Sequence, residues 1–162
     1  MKNSVKIGVL SDTHLHQVTE EFVEIYNHYL SDMDLVLHAG DVVSPDVIDF
    51  LAAKDFHGVS GNMDPEAVRQ LLPKKKIIHS SGYKIGLIHG WGQSDGLEDR
   101  ILPLFHNVDI IVYGHSHIAS NHVKEGILFF NPGTATGYSA SGEHSVGILD
   151  LGETARGEII HL

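Results

Sequence analysis

The chain has 162 residues, 42% apolar and 20% charged, with a formal net charge of −10. That length suits one domain with a sizeable core, and the acidic balance argues against a non-specific nucleic-acid binder, which needs a basic surface to displace counterions. There is no cysteine, which excludes disulfides and thiolate zinc sites, and no apolar run reaches the roughly 18 residues of a membrane-spanning helix.

Met1-Lys2-Asn3-Ser4 leads straight into an apolar run and offers no secretory segment, so a cytoplasmic location is expected. Val5 to Leu10 is too continuously apolar for a half-exposed strand and is predicted to be a buried one. Glu20 to Leu30 has helical spacing, Leu35 to His38 is a second buried strand, and Val47, Ile48, Phe50 and Leu51 mark a second helix. Ser44 is that helix's N-cap, with Pro45 at the first position. A short strand over His57 to Ser60 and a short helix over Pro65 to Leu72 complete a βαβαβα order, which favours parallel strands with covering helices. The second half is rich in strands: Lys76 to His79, Lys84 to His89, Asp109 to Tyr113, Leu128 to Phe130, Ser145 to Leu149 and Glu158 to His161. Only Gly96 to Phe105 is predicted as a helix there, and Pro103 cuts it short. An α/β half followed by a strand-rich half predicts an α/β fold in which two β-sheets face each other with helices outside, in one domain over residues 1–162.

Chemistry-bearing residues recur where these strands end. Asp12-x-His14, Gly40-Asp41, Gly61-Asn62, His89-Gly90 and His115-x-His117 all end or follow predicted strands. In open α/β sheets ligands gather beyond the carboxyl ends of strands, so these loops can converge on one spot. Carboxylate, imidazole and amide oxygen together suit Mn²⁺, Fe, Zn²⁺, Ni²⁺ or Co²⁺ rather than Cu(I), and are too rich in nitrogen for Ca²⁺. Seven donors are too many for a single structural zinc. An Asp with two oxygens can bridge two ions roughly 3.5–4 Å apart. Two dications would add about +4 locally, so an anionic small substrate is compatible with the acidic chain.

The ordered set Asp-x-His, Gly-Asp, Gly-Asn, His-Gly, Gly-His-x-His resembles the calcineurin-like metallophosphoesterase superfamily. The short length and Asn131-Pro132-Gly133 resemble its small bacterial and archaeal phosphodiesterase branch. The resemblance implies a four-layer metallophosphoesterase-like fold: two mixed sheets in a β-sandwich flanked by helices. It implies that Asp12, His14 and His117 hold one metal, that Asn62, His89 and His115 hold the second, and that Asp41 bridges both. Asp41, Asn62 and His115 are then the catalytic residues, with Asn62 also touching a phosphate oxygen. A hydroxide between the ions, with Mn²⁺ the first expectation among the metals, would be the nucleophile.

Two positions depart from the wider superfamily. The third motif often reads Gly-Asn-His-Asp/Glu, whereas here it is Gly61-Asn62-Met63-Asp64, so the usual acid for the leaving oxygen is missing. The fourth often reads His-Gly-His, whereas here it is His89-Gly90-Trp91, which puts an aromatic ring beside the site that can stack on a base or aryl group. Asp64 is expected to be a helix N-cap ahead of Pro65, His38 a core or metal-orienting residue, and Lys74-Lys75-Lys76 the solvated start of a strand. His16 is placed evenly between substrate-facing and plain loop residue, and His122, just beyond the last motif, is only a minority candidate for a place behind the metal ligands. Asn131-Pro132-Gly133-Thr134 is expected close to the metals, either as a turn or as a source of backbone groups for a phosphate.

The expected function is hydrolysis of a small phosphate ester, most of all a diester, at two divalent transition metals. The alternatives are a phosphomonoesterase or cyclic nucleotide hydrolase, and a binding subunit on the same fold with a degraded metal site. The complete set of seven donors favours the enzyme. The small size predicts a shallow site of broad tolerance; no membrane partner is expected, and self-association is left open.

Overall fold

The structure is a computed structural model that describes residues 3–162; what was expected of the first two residues lies outside that range. Strand β1 (Val5–Leu10) leads through helix α1 (Glu20–Ile25) to β2 (Leu35–His38), α2 (Pro45–Leu51), β3 (Phe56–Gly58) and α3 (Glu66–Arg69). Then come β4 (Lys75–Ser80), β5 (Tyr83–Ile88), α4 (Leu97–Ile101), β6 (Ile110–Val112), β7 (Ser120–Lys124), β8 (Ile127–Asn131), β9 (Ser145–Leu151) and β10 (Ala155–His161). They form two mixed five-stranded sheets, ordered β10-β9-β1-β2-β3 and β4-β5-β6-β8-β7. In the first, β1, β2 and β3 are parallel; in the second, β5, β6 and β8 are.

The strand sequences explain the layering. Side chains alternate faces along a strand. On β1 and β2, Ile7, Val9, Leu35 and Leu37 enter the core between the sheets, where they meet Ile85, Leu87, Ile110, Val112 and Phe130 of the second sheet. The intervening Leu10 and Val36 face outward and are covered by Phe22 of α1 and by Val47 and Leu51 of α2. On the second sheet Ile88, Ile111 and Phe129 are covered by Leu97 and Ile101 of α4 and by Phe105. Burial on both faces is why these strands read as unbroken apolar runs. The result is the four-layer sandwich expected from the resemblance.

Three elements differ locally from the expectation. The helix expected through Leu30 is α-helical only to Ile25 and continues as a π-turn over Tyr26–Leu30. The helix expected from Gly96 to Phe105 is α4 followed by a 3₁₀ turn over Leu102–Leu104, with Pro103 inside it. Strand β7 was not expected, because Ser120-Asn121-His122-Val123-Lys124 is a largely exposed edge without an apolar face. Helix α2 follows expectation, with the Ser44 hydroxyl accepting from the Asp46 N–H and Pro45 in the first turn. Among the described residues no helix is long and apolar enough to cross a membrane.

Candidate metal centre

The loops after β1, β2, β3, β5 and β6 leave the carboxyl ends of parallel strands and meet at one end of the sandwich. They are tied to one another by backbone hydrogen bonds. Asp12 N–H donates to Gly40 C=O at 2.9 Å, His14 N–H to Asp41 C=O at 3.0 Å, and Gly114 N–H to His89 C=O at 3.1 Å. The approach is close enough to require glycine at two points. A Cβ at Gly61 would lie 2.2 Å from Asp41 Oδ1, and one at Gly114 would lie 1.9 Å from Ser11 Oγ.

All seven predicted donors are brought together. His117 Nε2 lies 3.2 Å from Asp12 Oδ1 and 3.2 Å from His14 Nε2, and His14 Nε2 lies 3.5 Å from Asp41 Oδ2. On the other side of Asp41, His89 Nε2 is 3.2 Å from the same Oδ2. Asn62 Oδ1 then contacts His89 Nε2 at 2.9 Å and His115 Nδ1 at 3.1 Å. Asp41 Oδ2 thus stands between the two histidine groups. Asp12 also reaches both, with Oδ1 3.8 Å from His89 Nε2, which the sequence did not foreshadow. His115 joins the set through Asn62 rather than through either carboxylate.

Three imidazoles are locked so that a ring nitrogen faces inward. The outer nitrogens donate to backbone carbonyls: His89 Nδ1 to Ala39 at 2.7 Å, His115 Nε2 to Gly92 at 2.6 Å, and His117 Nδ1 to Tyr138 at 2.5 Å. Such a bond fixes ring orientation and leaves the other nitrogen as donor to a metal. Asp12 is organised likewise. Its Oδ2 accepts from the Ser11 hydroxyl at 2.7 Å and from the His115 N–H at 3.0 Å, while Oδ1 is buried with no hydrogen-bond partner. A bare buried carboxylate oxygen is costly unless something pairs with it. Its neighbours are the inward-facing imidazole nitrogens, so the donor set fits divalent ions.

The backbone is strained here. Asp12, His14, Asp41, His115 and His117 all have left-handed φ, between 48° and 71°, and Val43 has φ 74°. Such conformations cost about 1–3 kcal/mol each and persist where surroundings over-determine them. Two buried side chains provide much of that constraint. Asp64 accepts from the N–H groups of Asp41 (3.0 Å), Val43 (2.7 Å) and Gly61 (2.7 Å). It is therefore a clamp between two loops and not the N-cap of α3, whose cap position is Pro65 with no side-chain bond. Replacing Asp64 by Asn turns one of those acceptors into an amine facing an N–H donor. A loss of about 2 kcal/mol of stability is expected on denaturant unfolding. The second constraint is Thr134, whose hydroxyl donates to Asp12 C=O at 2.7 Å while Asn131 holds the Gly114 C=O at 3.1 Å. The Asn131-Pro132-Gly133-Thr134 segment is thus a brace for the first and last loops.

The remaining predicted residues fall outside the donor set. His38 is fully buried, accepts from Gly40 N–H on Nδ1 and shares its Nε2 proton with Thr13 Oγ1. Burial pushes its pKa down to about 4, so it is a neutral spacer. His122 lies on β7 against Glu98, away from the donors, and His16 is exposed. Trp91 extends its side chain into solvent, and its carbonyl accepts from Arg100 Nε.

Electrostatics follow the same geometry. Burial pushes the Asp12 carboxyl up, but the imidazoles of His117 and His14, 3.2 and 3.7 Å from Oδ1, hold it well below the usual carboxylate range. The adjacent Asp12 carboxylate raises His117 to about 9. A histidine raised above its ordinary value of about 6.5 stabilises the stripped protein fully below that pH and loses the effect as pH rises through the folded value. An ion must displace this proton. Mn²⁺ affinity is therefore expected to climb with pH up to about 9, and binding at neutral pH to release protons. Calorimetry in two buffers of different ionisation heat checks this; equal apparent heats would contradict it.

Residues 5–154 match the calcineurin-like phosphoesterase superfamily domain. A probable metallophosphoesterase of Methanocaldococcus jannaschii is 37% identical over 136 residues, covering 80% of this chain and 68% of that protein. A phosphodiesterase of the same archaeon is 30% identical over 175 residues, covering 96% and 99% of the two chains. The solved structure of vacuolar protein sorting 29 from Cryptosporidium parvum superposes with a TM-score of 0.73 at 24% identity, covering 98% of each chain, a likeness of fold alone. With the domain match spanning nearly its whole length, the chain belongs to the calcineurin-like phosphoesterase superfamily.

Proposed function

We propose that this chain is a phosphodiesterase whose seven converging donors hold two divalent transition-metal ions, Mn²⁺ foremost. Asp12, His14 and His117 form one half of the site, Asn62, His89 and His115 the other, and Asp41 is shared. The observation that carries this reading is the bare Asp12 Oδ1 facing inward-pointing imidazoles whose outer nitrogens are tied to backbone. When bound, such ions lower the pKa of water and neutralise charge on phosphoryl oxygens.

The chain's own residues set the rest. The carbonyls of Ala39, Gly92 and Tyr138 keep three imidazoles in the ligating tautomer, and Ser11 turns Asp12 so that Oδ1 faces inward. The Asn62 amide, on the open side of the group, is placed to touch a phosphoryl oxygen. Position 63 offers no proton to a leaving group, because the thioether of Met63 has none to give. A diester with a good leaving group therefore suits the site better than an alkyl monoester, and the 30% identity to an archaeal phosphodiesterase supports the same choice. The test is hydrolysis of bis-p-nitrophenyl phosphate against p-nitrophenyl phosphate with added Mn²⁺. Faster turnover of the diester is expected; turnover of the monoester alone would overturn the reading, and turnover of neither would favour a binding subunit.

A further inference from the structure

A groove of about 530 Å³ opens directly beside the candidate centre and shares Asn62 and His89 with it. Its other walls include Arg69, Lys74, Lys75 and Trp91. The chain has 11 Lys and Arg against 21 Asp and Glu. Three of those few cations line this one groove, and among the described residues none of the three pairs with a carboxylate. Arg69 Nη2 has only a long contact of 3.4 Å to Asn62 C=O, and Lys75 Nζ bonds the Leu104 carbonyl at 3.0 Å. The lysine triplet is therefore divided: Lys76 turns away to His57 at 2.8 Å, while its two predecessors face the groove. Trp91, the chain's single tryptophan, is 45% exposed on the same groove.

Lys75 also lies over the Phe105 ring, 5.5 Å from its centre, but none of the three cations is neutralised by a carboxylate. In a strongly acidic chain that calls for an anionic occupant, and an exposed indole offers a face on which a planar base can stack. A long polyanion would meet the negative remainder of the surface, so the occupant is small. We infer that this groove is a recognition subsite for a nucleotide-type ligand bearing a second phosphate. That phosphate sits on Arg69, Lys74 and Lys75, the base on Trp91, and the scissile ester at the adjoining donor set. The shallow, broadly tolerant site expected from chain length gives way to one with a charged and aromatic arm.

The binding claim stands on the groove alone; its catalytic consequence rests on the phosphodiesterase reading. The two are separated by experiment. Protein stripped of metal with a chelator is titrated with adenosine 3′,5′-bisphosphate and with adenosine, reading quenching of the Trp91 fluorescence. Saturable quenching by the bisphosphate is expected at concentrations at least about tenfold lower than by adenosine. The double variant R69Q/K74Q is expected to weaken bisphosphate binding about tenfold or more, with K76Q unchanged. No quenching, or equal response to both ligands, would overturn the subsite whatever the enzyme does. With Mn²⁺ restored, a dinucleotide carrying a terminal 5′-phosphate is expected to show a KM at least about tenfold below that of the unphosphorylated dinucleotide, a gap that R69Q/K74Q closes and K76Q leaves in place. Quenching without any diester turnover would overturn the phosphodiesterase reading and leave the subsite standing.

Discussion

Asp41→Asn is expected to lower diester turnover at least about a thousandfold, the equivalent of some 4 kcal/mol of transition-state stabilisation. Oδ2 of Asp41 lies between His14 and His89, at 3.5 and 3.2 Å, and Oδ1 accepts the Met63 N–H at 2.8 Å. An amide in its place removes one anionic charge from the point where both halves of the donor set meet. With only one oxygen left, it also cannot serve the donors and the Met63 N–H together. The substitution keeps the shape, and the strained φ of 57° at this position is tolerated by Asn as readily as by Asp. The fold should therefore survive, which unfolding in denaturant would verify. Asp64→Asn is the control. It damages the clamp behind Asp41 but touches no inward-facing imidazole, so its folded fraction should keep far more activity. Equal losses in the two variants would contradict the shared role given to Asp41.

Met63→His should have the opposite effect, a gain confined to poor leaving groups. Met63 follows Asn62 directly, its N–H is anchored on Asp41, and its side chain is 61% exposed. An imidazole there starts beside the donor set with room to move. General acids typically contribute about 10²–10⁴-fold, so turnover of an alkyl phosphate ester is expected to rise about a hundredfold or more. Turnover of a p-nitrophenyl diester, whose leaving group needs no proton, should change less than about threefold. The gained rate on the alkyl ester should fall away as pH rises past the ordinary histidine pKa of about 6.5. A uniform rise on both esters, or none on either, would mean that proton supply does not limit this site.

These two positions also show what the sequence could reveal. The convergence of the seven candidate donors was legible because each loop carries a residue type with distinctive chemistry at the end of a buried strand, and buried parallel strands announce themselves as apolar runs. The supports were not. Asp64 precedes Pro65 and so looks like a cap; its actual partners, Asp41 and Val43, lie more than 20 residues earlier. The left-handed backbone at Asp12, His14, Asp41, His115 and His117 leaves no mark in composition, because Asp and His merely tolerate it. Likewise Asp12 reaches both halves of the set only because Ser11 and the His115 N–H rotate its carboxylate. Lys74-Lys75-Lys76 looked uniform, yet β4 begins only at Lys75, and alternation from there turns Lys76 to His57 while Lys74 and Lys75 line the groove. Edge strand β7 was hidden for the plainest reason: with Asn121, His122 and Val123 exposed it buries too little to show a period.

The central claim is that one chain holds two ions with Asp41 common to both. Its most direct test is elemental analysis of the chelator-stripped protein after reloading with Mn²⁺ and removal of excess metal, run in parallel on Asp41→Asn. Two ions per chain in the unaltered protein, and at most one held tightly in the variant, are expected. No bound metal in either protein, or a single ion accompanied by full diester turnover, would contradict it.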